Sequence, residues 1–419
     1  MDRIVVEGGR RLEGEVKISG SKNAALPILV TSLLVDGECV FNNVPDLMDI
    51  KSIKLLLEDL GAKVESSGST VSIDATGVNK FEASYELVRK MRASILVLGP
   101  LLARQKRARV SLPGGCAIGA RPINLHLKGI AGLGAEIKLE HGYVEASADS
   151  LTGGDIYFDV VSVGATESLM MTAVLASGVT MLRNAAREPE ITALAEVLNS
   201  MGAKVEGAGT PEIKITGVNS LKPVTVSIIP DRIEAGTFMV AAAMTHGDVT
   251  ITDCEPEHMG GIIHKLKLTG AKVDVYEKSM RVIGPEEIQS VDIRTTPYPG
   301  FPTDMQAQFM AMLSIAKGTS VITETIFENR FIHVSELKRM GADISLEGGR
   351  VATVKGVHHL SGAPVMASDL RASASLILAG LVAEGKTLVS RVYHLDRGYE
   401  SIEKKLSKLG ALILREKEK

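Results

Sequence analysis

Apolar residues along the chain recur at helical spacing and end, six times, on one short phrase. Ile53, Leu56, Leu57 and Leu60 run into Leu60-Gly61-Ala62-Lys63-Val64, and Ile402, Leu406 and Leu409 run into Leu409-Gly410-Ala411-Leu412-Ile413. Between them stand Leu133-Gly134-Ala135, Met201-Gly202-Ala203, Thr269-Gly270-Ala271 and Met340-Gly341-Ala342. The six glycines lie 68 to 73 residues apart, so units of about 70 residues account for the whole chain. Apolar positions three and four apart share one helix face. A glycine just after them closes the helix, and the apolar residues beyond it open a strand.

Each unit also holds an earlier apolar stretch: Ala24 to Val35, Ala93 to Ala103, Ala165 to Ala176, Ala235 to Thr245, Met305 to Ala316 and Ala372 to Ala383. These are apolar on nearly every side, which predicts helices buried all round rather than along one stripe. Most end in a small-residue turn such as Asp36-Gly37-Glu38 or His246-Gly247-Asp248 before the next strand. A unit therefore reads helix, strand, helix, strand, with one or two further strands in stretches rich in Val, Ser and Thr. The period is too long for ankyrin or tetratricopeptide arrays. Six helix–sheet units of an α/β (α+β) class divide naturally into two domains of three, each with buried helices at its centre.

The starts of the buried helices carry charge. Ser21-Lys22-Asn23, Met91-Arg92, Arg232-Ile233-Glu234, Thr303-Asp304 and Asp369-Leu370-Arg371 precede five of them, and Val163-Gly164 the sixth. A helix N-terminus presents unpaired N–H groups and the positive end of the dipole, so a cation there opposes the dipole, whereas an anionic ligand suits it. Lys22, Arg92 and Arg371 thus predict anion binding, against the alternative of charges that simply snorkel to solvent. Gly164 instead leaves backbone N–H groups that suit a phosphate. Arg121, Arg330 and Arg397 stand in turn-like surroundings, where each alone reads as a surface arginine. Together they fit a substrate with several negative charges. Asp304 has two readings, an N-cap or a general base toward a hydroxyl.

Composition narrows the chemistry. With 419 residues, 45% hydrophobic and 23% charged, and a formal net charge of −3, the chain reads as a two-domain globular protein and not as a nucleic-acid binder. No apolar run reaches the roughly 18 residues of a spanning helix, and no apolar leader opens the sequence, so a cytoplasmic protein is expected. Cys39, Cys116 and Cys254 fit neither a disulfide framework nor a zinc site. Cys39 and Cys254 lie in or beside strands and read as packing. His358-His359 reads as a solvated turn. Cys116 differs, because Pro113-Gly114-Gly115-Cys116-Ala117-Ile118-Gly119-Ala120-Arg121-Pro122 is a loop in which Arg121 would favour the reactive thiolate. The alternative is a small apolar filler under a loop.

In this order and spacing, Gly20-Ser21-Lys22-Asn23-Ala24-Ala25, Met91-Arg92-Ala93-Ser94, the Cys116 loop, Ser162-Val163-Gly164-Ala165-Thr166-Glu167, Pro302-Thr303-Asp304-Met305-Gln306 and Asp369-Leu370-Arg371-Ala372 resemble the enolpyruvyl transferases over essentially the full chain. The resemblance implies a two-domain inside-out α/β barrel with three repeats per domain. Residues 20–229 would carry the Cys116 loop and the nucleotide-sugar contacts. Residues 1–19 would join 230–419, with Asp304, Arg330, Arg371 and Arg397. The implied reaction moves the enolpyruvyl group of phosphoenolpyruvate to the 3′-hydroxyl of UDP-N-acetylglucosamine, releasing phosphate at the first committed step of peptidoglycan synthesis. No cofactor, metal, nucleic acid or membrane is implied, and the oligomeric state is left open.

The resemblance also assigns roles. Cys116 would protonate C3 of phosphoenolpyruvate and can become attached to it. Lys22, Arg121 and Arg397 would hold the phosphate, Arg330 and Arg371, beside Asp369, the carboxylate, and Asp304 would position or deprotonate the sugar hydroxyl. Asn23, Arg92, Arg121, Pro122, Ile123, Asn124, Leu125, Ser162, Val163, Gly164 and the backbone of Ile326 would bind the nucleotide sugar. Asn124 and Val160 stand where some members have aspartate and lysine, which puts the uracil and diphosphate contacts in question. The sister activity that makes 5-enolpyruvylshikimate 3-phosphate lacks a Gly-Gly-Cys-Ala loop and usually has serine where Asn23 stands. A non-catalytic nucleotide-sugar-binding relative would not need Cys116, Lys22, Asp304 and Arg397 together.

An epoxide mimic of phosphoenolpyruvate is expected to alkylate Cys116 and neither Cys39 nor Cys254, and Cys116→Ser to lose nearly all turnover. Peptide mapping that finds the label on Cys39 or Cys254, with activity lost, overturns the choice of thiol.

Overall fold

A computed structural model describes residues 2–89, 91–112 and 123–417. The repeat seen in the sequence is a repeat in space. Six four-stranded sheets share one order: an edge strand parallel to the strand that follows the buried helix, then two strands in antiparallel pairing. The third unit shows the pattern without interruption. Asp155–Tyr157 runs parallel to Val179–Arg183, which pairs antiparallel with Glu212–Thr216, itself paired with Lys204–Glu206.

Three sheets borrow a strand from elsewhere in the chain. Thr225–Ser227 lies parallel to Glu38–Asn42, Glu13–Lys17 lies parallel to Asp248–Thr252, and Asp2–Glu7 sits between Lys386–Ser390 and Leu412–Lys417. Residues 2–19 consequently belong to the compact unit formed by 230–417, and the other described residues from 20 to 229 form a second unit. Each unit has its own apolar core.

At the centre of one core lie the helices Lys22–Val30, Leu98–Gln105 and Val163–Ala173, and at the centre of the other Arg232–Met244, Gln306–Leu313 and Leu370–Val382. In Arg232–Met244 every residue from Ile233 onward is buried. Hydroxyls on such a helix have no water to bond, so they turn back on their own backbone: Thr172 Oγ1 donates to the Ser168 carbonyl at 2.7 Å, Thr237 to Ile233 at 2.8 Å and Ser314 to Met310 at 2.8 Å. The amphipathic helices, among them Met48–Asp59 and Pro189–Ser200, cover the cores and bury one face.

The glycine of the repeated phrase closes each of these covering helices. Gly61, Gly134, Gly202, Gly270, Gly341 and Gly410 all take φ between 93° and 107°, a region that side chains with a Cβ rarely enter. In the first unit Ala62 N–H returns to the Leu57 carbonyl and Gly61 N–H to that of Glu58, each at 3.0 Å, which satisfies two of the orphan carbonyls at the helix end. Cys39, in strand Glu38–Asn42, and Cys254, just after strand Asp248–Thr252, are both buried. Burial pushes both thiols up, Cys254 to about 11, which keeps them protonated and inert. His358 and His359 are exposed.

Candidate active site

Cys116, Arg121 and Pro122 lie outside the described residues. The remaining candidates divide between the two units. In residues 20–229, Ser21 caps the helix Lys22–Val30 by accepting from the Ala24 N–H at 3.3 Å, which makes Lys22 its first residue and Asn23 its second. Lys22 therefore sits inside the first turn rather than before it. Its Nζ is 3.3 Å from Oδ2 of Asp49, a buried carboxylate in the first turn of Met48–Asp59. Arg92 likewise opens the helical turn Arg92–Val97.

Ile123 is buried at the head of Asn124–Gly132, whose first residues, Asn124 and Leu125, precede His126. His126 is buried, and a Cβ at Gly164 would lie 3.3 to 3.4 Å from its ring. That contact brings the head of Asn124–Gly132 to the start of Val163–Ala173. There the Ser162 hydroxyl accepts the Ala165 N–H at 3.3 Å. The anion capacity of this helix start thus rests on Val163 and Gly164. Val160 is exposed.

In the other unit one carboxylate gathers two guanidiniums. Asp304 lies in the turn Thr303–Met305, whose N-cap, Pro302, makes no side-chain bond. The N-cap reading of Asp304 is therefore wrong: Oδ1 is 2.9 Å from Arg330 Nη2 and Oδ2 is 2.8 Å from Arg371 Nη2. Arg330 is only 4% exposed and Arg371 3%, so the reading of Arg330 as a surface arginine fails too.

Arg371 is the second residue of Leu370–Val382, and Asp369 caps that helix by accepting from the N–H groups of Arg371 at 2.9 Å and Ala372 at 3.1 Å. The guanidinium lies 5.3 Å from the centre of the Tyr399 ring, whose hydroxyl meets Thr237 Oγ1 at 2.9 Å and Gln308 Nε2 at 3.2 Å. Burial pulls the Arg371 pKa down, but the Asp304 carboxylate and Tyr399 more than offset it, so the pKa ends raised and the cation is secure. Its Nε and Nη1 have no hydrogen-bond partner among the described residues. Two buried donors of one planar fork suit a carboxylate. Arg397 ends the turn Val392–Arg397 and is half-buried. The Ile326 N–H is committed to Glu324 Oε1 at 2.7 Å, which leaves its carbonyl as the backbone group for a ligand.

One argument from sequence needs correction. A cation in the first turn of a helix opposes the dipole, but for Lys22 and Arg371 the protein itself supplies the answering carboxylates, Asp49 and Asp304. An external anion is not required to hold them. Asp49, His126, Glu324 and Tyr399 went unremarked in the sequence and left no signal there, since their roles rest on partners brought together only in space. Among the described residues no group of three or more His, Cys, Asp or Glu is placed to hold a metal ion, and no helix is long and apolar enough to cross a membrane.

Comparison with known proteins gives a consistent picture. A family model described as EPSP synthase (3-phosphoshikimate 1-carboxyvinyltransferase) matches residues 6–406. A UDP-N-acetylglucosamine 1-carboxyvinyltransferase of Desulfosudis oleivorans is 69% identical over 99% of both chains, and one of Geobacter metallireducens is 61% identical over 100% of both. Among solved structures, the enolpyruvyl transferase NikO from Streptomyces tendae superposes with a TM-score of 0.90 at 26% identity, covering 99% of this chain and 98% of that one. EPSP synthase from Acinetobacter baumannii shares the fold, with a TM-score of 0.79 at 18% identity over 100% of both chains.

The packing of His126 has a measurable consequence. Burial first, and the nearby Arg92 charge second, lower its pKa from the ordinary 6.5 to about 4. The unfolded chain therefore binds the extra proton in that interval, and this contribution to stability is intact above pH 6.5 and falls away toward pH 4. Glu167, raised by burial and by Glu190 and Glu188, titrates with the opposite sign, so the test is a difference between variants. His126→Asn is expected to gain roughly 2 kcal/mol relative to the parent between pH 7.5 and pH 5 in urea unfolding. An unchanged difference across that range would show that the imidazole is not held neutral.

Proposed function

The chain belongs to the EPSP synthase family of enolpyruvyl transferases, and we propose that it acts as a UDP-N-acetylglucosamine 1-carboxyvinyltransferase. The carboxyvinyl group of phosphoenolpyruvate passes to the 3′-hydroxyl of UDP-N-acetylglucosamine, and inorganic phosphate leaves. The observation that carries this reading is Asp304 between the buried guanidiniums of Arg330 and Arg371. A carboxylate suited to a hydroxyl proton lies directly against cations suited to an acid. The names carried by the most similar relatives supply the acceptor.

In the proposed chemistry a proton from Cys116 adds to C3 of phosphoenolpyruvate and leaves C2 electron-poor. The sugar oxygen bonds to C2 while its proton passes toward Asp304. Phosphate then leaves C2, a proton passes from C3 back to the Cys116 thiolate left by the first step, and the double bond is restored. Lys22, Arg121 and Arg397 serve the phosphate, whose leaving is eased by cations fixed in place beforehand. Arg371 meets the substrate carboxylate through Nε and Nη1, with Arg330 behind it, so that Asp304 keeps a guanidinium on each oxygen. Asn23, Arg92, the segment Arg121-Pro122-Ile123-Asn124-Leu125, the helix start Ser162-Val163-Gly164 and the Ile326 carbonyl receive the nucleotide sugar. Asp369 holds the helix start that aims Arg371.

Such a product would feed peptidoglycan synthesis in the cytoplasm. The sister activity on shikimate 3-phosphate is disfavoured by the Gly-Gly-Cys-Ala sequence and by Asn23. Phosphate release from phosphoenolpyruvate is expected to require UDP-N-acetylglucosamine. Asp304→Asn is expected to lower kcat by about 10²- to 10⁴-fold, the usual worth of a positioned acid–base group. Release that depends on shikimate 3-phosphate instead, or an Asp304→Asn enzyme near full turnover, would refute the reading.

A further inference from the structure

The residues that follow strand Thr319–Thr323 are built on one carboxylate. Glu324 is fully buried and pairs with no cation among the described residues. Its Oε1 accepts from the Ile326 N–H at 2.7 Å, the Phe327 N–H at 3.1 Å and Thr295 Oγ1 at 2.9 Å, and its Oε2 accepts from Thr303 Oγ1 at 2.9 Å. A carboxylate deep in a protein is costly unless donors replace its water, and here four do so. The backbone adds to this, since the Thr325 N–H donates to Thr295 Oγ1 at 2.9 Å and Thr325 Oγ1 to the Thr295 carbonyl at 2.6 Å.

The repeat supplies an internal control. In four units the residue directly after the corresponding strand turns left-handed: Asn43 at φ 56°, Asn184 at 55°, Asp253 at 52° and Arg391 at 57°. Glu324 occupies that position in the fifth unit and does not, nor does Leu112 after Arg107–Ser111 in the second. The backbone turn that suffices in those four units is replaced here by a turn that a side chain organises. A buried acid is a demanding substitute for a backbone conformation, so the exchange has to accomplish something the turn alone does not.

What it accomplishes is a tie between two segments. Oε2 holds Thr303, the neighbour of Asp304, and Oε1 holds the N–H groups of Ile326 and Phe327. Arg330, which binds Asp304, also reaches the Thr303 carbonyl, at 3.4 Å. Residues 303–304 are thus fixed from two directions, and the loop at Ile326 is fixed to the same carboxylate. We propose that Glu324 is a positioning residue for the sugar acceptor, registering the Asp304 carboxylate against the Ile326 carbonyl. This rests on the functional reading above, in which those two groups meet the nucleotide sugar. Because the N–H groups of this loop are turned inward, the ligand group it recognises is a donor, a hydroxyl or an amide N–H.

Steady-state kinetics with both substrates tests the proposal, using Thr303→Val, Thr303→Ser and Glu324→Gln. Thr303→Val removes one bond to Glu324 and is expected to lower kcat about tenfold, whereas Thr303→Ser, which keeps the hydroxyl, stays within about twofold of the parent. Glu324→Gln places an NH2 donor against other donors and is expected to raise KM for UDP-N-acetylglucosamine about tenfold while also lowering kcat. In all three, KM for phosphoenolpyruvate and the rate of Cys116 alkylation by an epoxide mimic are expected to change by no more than about twofold. A merely structural role would reduce the active fraction and the alkylation titre together and leave the acceptor KM alone, which overturns the proposal. Parent kinetics in Thr303→Val also overturn it, and that pair decides the matter even where Glu324→Gln does not fold. A parent enzyme that shows no dependence on UDP-N-acetylglucosamine fails the functional reading itself, before any variant is made.

Discussion

A helix buried along its whole length can show polarity only at its ends, and that constraint organises this protein. Six such helices, rich in alanine and with many of their hydroxyls folded back on their own carbonyls, leave little place for charge along their length. Charge therefore collects at their starts, Lys22 and Arg371 in first turns and Arg92 in the turn that leads into Leu98–Gln105. The covering helices and the six sheets make such burial possible. The left-handed glycine that closes each covering helix lets the chain return at once into a strand.

A cation in the first turn of a buried helix is unfavourable on two counts, dipole and desolvation. The structure answers with carboxylates held at hydrogen-bond distance, Asp49 for Lys22 and Asp304 for Arg371. A buried ion pair is weak evidence for stability, because removing two charges from water offsets much of their attraction, and well-packed apolar residues often serve as well. The proposed function gives these pairs a reason that stability does not. Arg371 stays fixed beneath Asp304 and above Tyr399 with two donors still uncommitted, which is preorganisation for a carboxylate at no further cost in ordering.

Much of the fold was legible in the sequence because it is repeated. One glycine phrase, seen six times, fixes the covering helices and the strands after them, and six apolar stretches fix the buried helices. The borrowed strands were not legible from pattern. Asp2–Glu7, Glu13–Lys17 and Thr225–Ser227 look like any short strands, and only pairing in space shows which sheet each completes. The same holds for the site. The cations at helix starts could be read off, but their partners could not, since Asp49 and Lys22 are 27 residues apart and Asp304 and Arg371 are 67 apart. Asp304 misled for a physical reason: aspartate before an apolar helix usually caps it, and here two guanidiniums claim both oxygens instead. Glu324 was not legible at all, because its role rests on donors from Thr295, Thr303, Ile326 and Phe327 that only the fold brings to it.

The central proposal is that the charged starts of buried helices bind the substrates, Lys22 the phosphate and Arg371 the carboxylate. A crystal structure of the protein with UDP-N-acetylglucosamine and an unreactive phosphoenolpyruvate analogue tests it most directly. The account predicts Lys22 and Arg397 on the phosphate, Arg371 on the carboxylate, and Asp304 and the Ile326 carbonyl within hydrogen-bond reach of the same sugar. Ligands that leave Lys22 and Arg371 without a contact to phosphate or carboxylate would contradict it.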